Sequence, residues 1–204
     1  RGQGAIFAGL DESTLFVFPP RAGTVNTLVP LMAIEDFLAI NNIISAYIRI
    51  GRRPPEKVRD SGALKSQEKT NNNLILICSS RSNHATKEAL ELLRARNSHL
   101  NDLIPTFVPV AGSNQLQIQW NGAVYPSPSY SQTGPCYEDV AMIVKAQSPW
   151  AAQRKIMIVA GIRGIGTWGA AEYLKKWWPE LHRRKDQSRR RGTTKQGDFA
   201  ALVS

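Results

Sequence analysis

Two short runs of this chain, NLILIC (73–78) and KIMIVAG (155–161), are apolar at almost every position. Each leads through polar or glycine-rich residues into a helical pattern. A strand with one wet face alternates apolar and polar side chains, so a continuous short run is a strand covered on both faces. Two covered strands, each followed by a helix, predict layers of helices on a mainly parallel sheet. Apolar residues make up 42% of the 204 and charged residues 21%, enough apolar surface for a real core.

The other elements follow from local pattern. TLFVF (14–18), closed by Pro19 and Pro20, reads as a strand. From Pro30 to Arg49, Ile34, Phe37, Leu38, Ile44, Tyr47 and Ile48 recur at helical spacing, and Gly51 and Pro54 end the helix. Residues 52–72 show no clear period and read as a connection that can contain a short irregular strand. A helix is predicted over His84–Arg96 and a weak strand over 106–110. QLQIQW and AVYPS around Asn121-Gly122 predict a β-hairpin with a type I′ turn. DVAMIVKA (139–146) reads as a further buried strand, residues 167–178 as a helix stopped by Pro179, and DFAALV (198–203) as the last strand. The expected architecture is one α/β domain over 1–204, a mainly parallel Rossmann-like sheet flanked by helices. It carries a hairpin insertion at about 112–137 and a basic flexible loop at about 182–197.

Two strand-to-helix loops are the candidate binding elements. Gly161, Arg163, Gly164, Gly166 and Thr167 lie in GIRGIGTWG, where Gly164–Gly169 spells GxGxxG between a strand and a helix. Glycines allow close backbone approach and positive φ, and the first N–H groups of the helix attract an anion. Thr167 can cap the helix or reach a phosphate, and Arg163 adds charge. The other reading is a packing turn. No Lys follows the glycines, which excludes an ordinary P-loop NTPase, and no clear acidic residue marks a dinucleotide dehydrogenase. Ser79, Ser80, Arg81 and Asn83 follow the strand that ends at Cys78, with Arg81 a natural anion contact and Asn83 a good helix cap.

At these residues the chain resembles a known architecture. NLILICSSRSNHATKEAL, KIMIVAGIRGIGTWGAAEYL and the closing GDFAALV resemble an uncharacterised bacterial Rossmann-like domain over roughly 14–203. More loosely the layout is similar to the nucleotide-binding superfamily of TIR, SLOG and nucleoside deoxyribosyltransferase-like domains. The resemblance implies a nucleotide or NAD-type ligand and a role in signalling or anti-phage defence. That domain usually has Gly-Gly-Pro where this chain has Cys78-Ser79-Ser80, and no catalytic glutamate aligns.

Whether the chain is an enzyme stays open. A glycosidase on this scaffold needs a carboxylate at the scissile bond. The candidates are Glu35, Asp36, Glu88, Glu91, Glu138 and Asp139, each of which also reads as a solvated or helix-favouring side chain. No catalytic triad is visible, and His84, His99 and His182 are scattered. Cys78 and Cys136 have no partner at metal spacing, so no metal site is expected and Cys78 reads as a small core residue. The net charge is +10, and Arg183, Arg184, Lys185, Arg189, Arg190 and Arg191 supply much of it. With Trp177 and Trp178 nearby, that run offers a surface for nucleic acid or an anionic membrane, or is a solvated loop. The chain begins at Arg1 without Met and reads as a piece of a longer protein. A cytoplasmic setting is expected, as a soluble protein or as the cytoplasmic part of a membrane-anchored one.

Overall fold

A computed structural model describes residues 7–11, 13–19, 32–96, 104–127, 138–190 and 199–204, with backbone alone for 178–190. The elements in chain order are β1 (Leu15–Phe18), α1 (Ile34–Arg49), β2 (Lys57–Asp60), α2 (Ser66–Asn71), β3 (Leu74–Ile77), α3 (His84–Arg96), β4 (Thr106–Pro109), β5 (Leu116–Trp120), β6 (Ala123–Pro126), β7 (Ala141–Gln147), β8 (Lys155–Gly161), α4 (Gly164–Arg190) and β9 (Phe199–Val203). The main sheet has the order β2-β1-β3-β8-β7-β9. Strands β2, β1, β3 and β8 pair in parallel. β7 is antiparallel to both β8 and β9, so it alone runs against the others. The fold is therefore α/β with a mixed, mostly parallel sheet.

Alternate residues of the buried strands feed two apolar layers, as strand geometry requires. Phe16, Ile75, Ile77, Ile143, Met157 and Val159 meet α1 and α4 on one face. Val17, Leu74, Leu76, Met142, Val144, Ile156 and Ile158 meet α3 on the other, together with Ile118 of β5. The hairpin lies in its own three-stranded antiparallel sheet, β4-β5-β6. Its turn has Asn121 at φ 51° and Gly122 at φ 75°, the two positive values a type I′ turn demands. Residues 128–137, the rest of the expected insertion loop, lie outside the described residues.

Three readings of the sequence need correction. The connection 52–72 does contain a short strand, the parallel edge strand β2, but also the short helix α2, which the sequence did not show. Lys57, Val58, Arg59 and Asp60 show no apolar period because an edge strand with exposed side chains has no need of one. The buried face of α1 is Asp36, Ala39, Ile40, Asn42, Ile43, Ala46 and Tyr47, while Ile34, Phe37 and Ile48 are exposed. Of the large apolar residues at helical spacing only Tyr47 is fully buried, and the small Ala39 and Ala46 fill the buried face beside Ile40 and Ile43.

The third concerns α4, which starts at Gly164 instead of Thr167 and runs through Pro179 to Arg190. Proline at 179 has no N–H for the Lys175 carbonyl four residues back. The Arg49 guanidinium of α1 supplies that donor, Nη1 lying 3.2 Å from the Lys175 oxygen. The helix can therefore pass the proline with its orphaned carbonyl satisfied. Consequently residues 182–190 of the expected flexible loop are helical, and 191–198 lie outside the described residues. No helix among the described residues is long and apolar enough to cross a membrane.

Candidate functional site

Because β1, β3 and β8 are adjacent and parallel, Phe18, Ile77 and Gly161 end at one edge of the sheet. From β3 the chain leaves to α3 on one face, and from β8 to α4 on the other. Loops that diverge in this way open a crevice at the carboxyl edge, where open α/β sheets bind ligands. The two loops singled out in the sequence, 79–83 and 161–167, flank it.

The glycine loop is packed against its own chain. Gly161 N–H donates to Thr167 Oγ1 at 2.9 Å, and Thr167 N–H donates to the Arg163 carbonyl. A Cβ on Gly161 would collide with Thr167 N and sit 2.5 Å from the Gly166 carbonyl carbon. One on Gly166 would strike the Asp139 carboxylate, and one on Gly164 would lie 3.1 Å from Glu35 Cγ. None of the four loop glycines has positive φ. The close approach these residues permit is therefore helix to strand and helix to carboxylate. Only at Gly169, with nothing within 4 Å, is there open space.

The helix terminus already holds an anion. Asp139 Oδ2 accepts the Arg163 N–H at 2.6 Å. Burial pushes this carboxyl above its ordinary value, against the pull of the Ser127 hydroxyl and of the backbone N–H groups of Arg163, Val140 and Gly166. A phosphate placed on the same N–H groups would meet this carboxylate. Asp139 is thus the cap of α4, a role hidden in the sequence by the 24 residues between cap and helix.

In the serine loop, Asn83 is buried and fully used. Its Oδ1 accepts from Ala85 N and Thr86 N at 3.0 and 3.2 Å, capping α3. Its Nδ2 donates to the carbonyls of Val17 and Ile77 at 3.1 and 2.8 Å, tying the ends of β1 and β3 together. The Ser79 carbonyl accepts from Ser82 N and Asn83 N, which closes the turn. Arg81 is exposed and its guanidinium donates to the Asn114 carbonyl at 2.6 Å. Ser80 is half-buried and Ser82 exposed, so they are the loop residues best placed to meet a ligand.

Cys78 opens this loop in a left-handed backbone, φ 81°, that favours glycine. Burial, then the charge of Asp36, pushes its thiol up to about 12, so it stays neutral. Holding a non-glycine residue there costs about 1–3 kcal/mol. Cys78→Gly is expected to keep wild-type stability within about 1 kcal/mol, strain relief offsetting the lost thiol. Cys78→Val, β-branched, is expected to lose more than about 2 kcal/mol. Equal urea midpoints for the two variants would refute the strain.

Of the sequence's carboxylate candidates, three gather here. Glu35 lies against Gly164, Asp36 bonds with the Cys78 thiol, and Asp139 caps α4. Asp36 is only 2% exposed, and its Oδ1 has no hydrogen-bond partner among the described residues. Burial, then the neighbouring charge of Glu35, raises it to about 6. Glu88 belongs elsewhere, accepting from Lys69 Nζ at 2.5 Å and Trp150 Nε1 at 2.7 Å. Glu91 and Glu138 are exposed, and so is His84. Among the described residues no group of three His, Cys, Asp or Glu side chains is placed to hold a metal ion. Arg183, Arg184, Lys185, Arg189 and Arg190 follow the helical backbone of α4, Arg191 lies outside the described residues, and Trp177 is exposed.

No family model matches the chain, and no curated protein does. What the geometry gathers around the carboxyl ends of β3 and β8 is three carboxylates, Glu35, Asp36 and Asp139, near the starts of α1 and α4, and the hydroxyls of Ser80 and Ser82 before α3.

Proposed function

We propose that the chain is a Rossmann-like domain that binds a nucleotide or NAD-type ligand in this crevice, in a signalling or regulatory role. The observation that carries the reading is the convergence of two strand-to-helix loops at one carboxyl edge, with their helices on opposite faces. Since Asp139 occupies the α4 terminus, the ligand's phosphate belongs at Ser80, Arg81 and Ser82, and its ribose hydroxyls belong at the carboxylates. Native mass spectrometry with NAD, ADP-ribose, ATP and cyclic nucleotides tests this. A stoichiometric adduct is expected, lost in Ser82→Trp, an exposed position where the fold tolerates bulk. No adduct at millimolar ligand would overturn it.

A second reading, an NAD or nucleotide glycosidase, draws support from the same place. That chemistry needs a carboxylate facing both loops, and Glu35 and Asp36 begin α1 between them. Appearance of nicotinamide or free base in the same spectra would favour it, and intact ligand would favour binding alone.

A further inference from the structure

The two edges of the main sheet are built differently. β2 carries Lys57, Arg59 and Asp60, follows Pro54 and Pro55, and exposes its side chains. Charge and nearby proline are the usual protection of an edge strand against pairing with another chain. β9 reads Phe199-Ala200-Ala201-Leu202-Val203, without a charge or a proline, and every residue is half-buried. Among the described residues it pairs only with β7, and no described strand takes the N–H and C=O groups of its other side.

We infer that β9 is the contact between two copies of this chain, joined antiparallel about a two-fold axis at Ala201. The pattern is self-complementary. About that axis Phe199 faces Val203 of the other copy, Ala200 faces Leu202, and Ala201 faces its own equivalent, so larger side chains meet smaller ones. Directly opposed residues share a sheet face. Phe199, Ala201 and Val203 lie with the α1 and α4 layer, and Ala200 and Leu202 with the α3 layer. Pairing therefore continues both apolar layers across the join, and closes on two copies as a two-fold contact must.

Symmetry selects the direction. A two-fold axis through Ala201, across the sheet, makes the contact isologous and runs the two strands antiparallel. The cationic edge of β2 disfavours a β2–β9 contact, which would propagate into a fibre.

Sedimentation equilibrium of the wild-type chain tests the inference, with twice the 22.6 kDa chain mass expected at micromolar concentration. Ala201→Cys in a Cys136→Ser background should give a disulfide-linked dimer on mild oxidation, because the two Cβ atoms face each other. A monomer at all concentrations overturns the proposal. A dimer of twice the chain mass without the Ala201→Cys cross-link also overturns it, by placing the interface elsewhere. Should that variant fail to fold, hydrogen exchange of the wild type decides. Protection of the β9 amides that rises with concentration supports the contact, and constant protection sinks it.

Discussion

Gly161→Ala is expected to remove about 3 kcal/mol of stability or more, while Gly169→Ala, eight residues on, is expected to add about 0.5–1 kcal/mol. The two glycines share one motif and differ in what surrounds them. At Gly161 an added Cβ meets only backbone atoms of the first turn of α4: Thr167 N, the Gly166 carbonyl carbon and the Arg163 oxygen at 2.6 Å. No side-chain rotation relieves that contact, so the helix start must move away from β8. The Thr167 Oγ1 bond to Gly161 N–H would break with the movement, and so would the Asp139 cap. Against a typical total of about 5–15 kcal/mol, such a loss unfolds a large share of the chain at moderate urea. Gly169 sits on an exposed helical position with open space, so alanine simply lowers the conformational freedom lost on folding. Urea denaturation of both variants settles the point. If both moved the midpoint the same way, the motif would not be the packing device the geometry describes.

The contrast shows what a motif reveals. GxGxxG marked the right loop and the right flanks, since β8 and α4 border it on either side. It did not reveal what the glycines approach, because Asp139 and Glu35 come from distant parts of the chain. The strands β3 and β8, the helix α3 and the hairpin turn were legible, since each is written in a local period or a turn pair. The wet and dry faces of α1 were not, because Ala39 and Ala46 bury as well as isoleucine does yet weigh little in a hydrophobic pattern. Pro179 looked like a stop because its compensation, Arg49, lies on another helix. Cys78 looked like an ordinary core thiol, and only its φ of 81° shows that it stands at a backbone position that favours glycine. Convergence of the carboxylates on the crevice likewise needed the order β1-β3-β8, which no local pattern states.

Asp36→Asn is expected to stabilise the chain by about 1–3 kcal/mol at pH 7 and to flatten its response between about pH 4 and 6. Asp36 ionises at about 6 in the folded chain, against 3.8 for an ordinary aspartate. The folded state therefore holds this proton more tightly than the unfolded chain does. Its contribution is most favourable below about pH 4 and is lost as pH rises through 6, a total of about 3 kcal/mol. Asp139, also raised, acts in the same direction. Asp11, Glu68, Glu88 and Glu172 are lowered, so their contributions hold above the usual carboxylate range and fade in acid. They are common to both proteins, so the difference between wild type and variant isolates Asp36. Asparagine keeps the shape and removes the buried charge, but its amide needs an acceptor beside Cys78, which limits the gain. Urea denaturation of both proteins at four pH values measures the difference. A variant no more stable than wild type at pH 7 would refute a buried, costly carboxylate. On the proposed nucleotide reading, in which the ribose hydroxyls meet these carboxylates, the variant is expected to be the more stable protein and the poorer binder, its adduct weakened while its melting temperature rises.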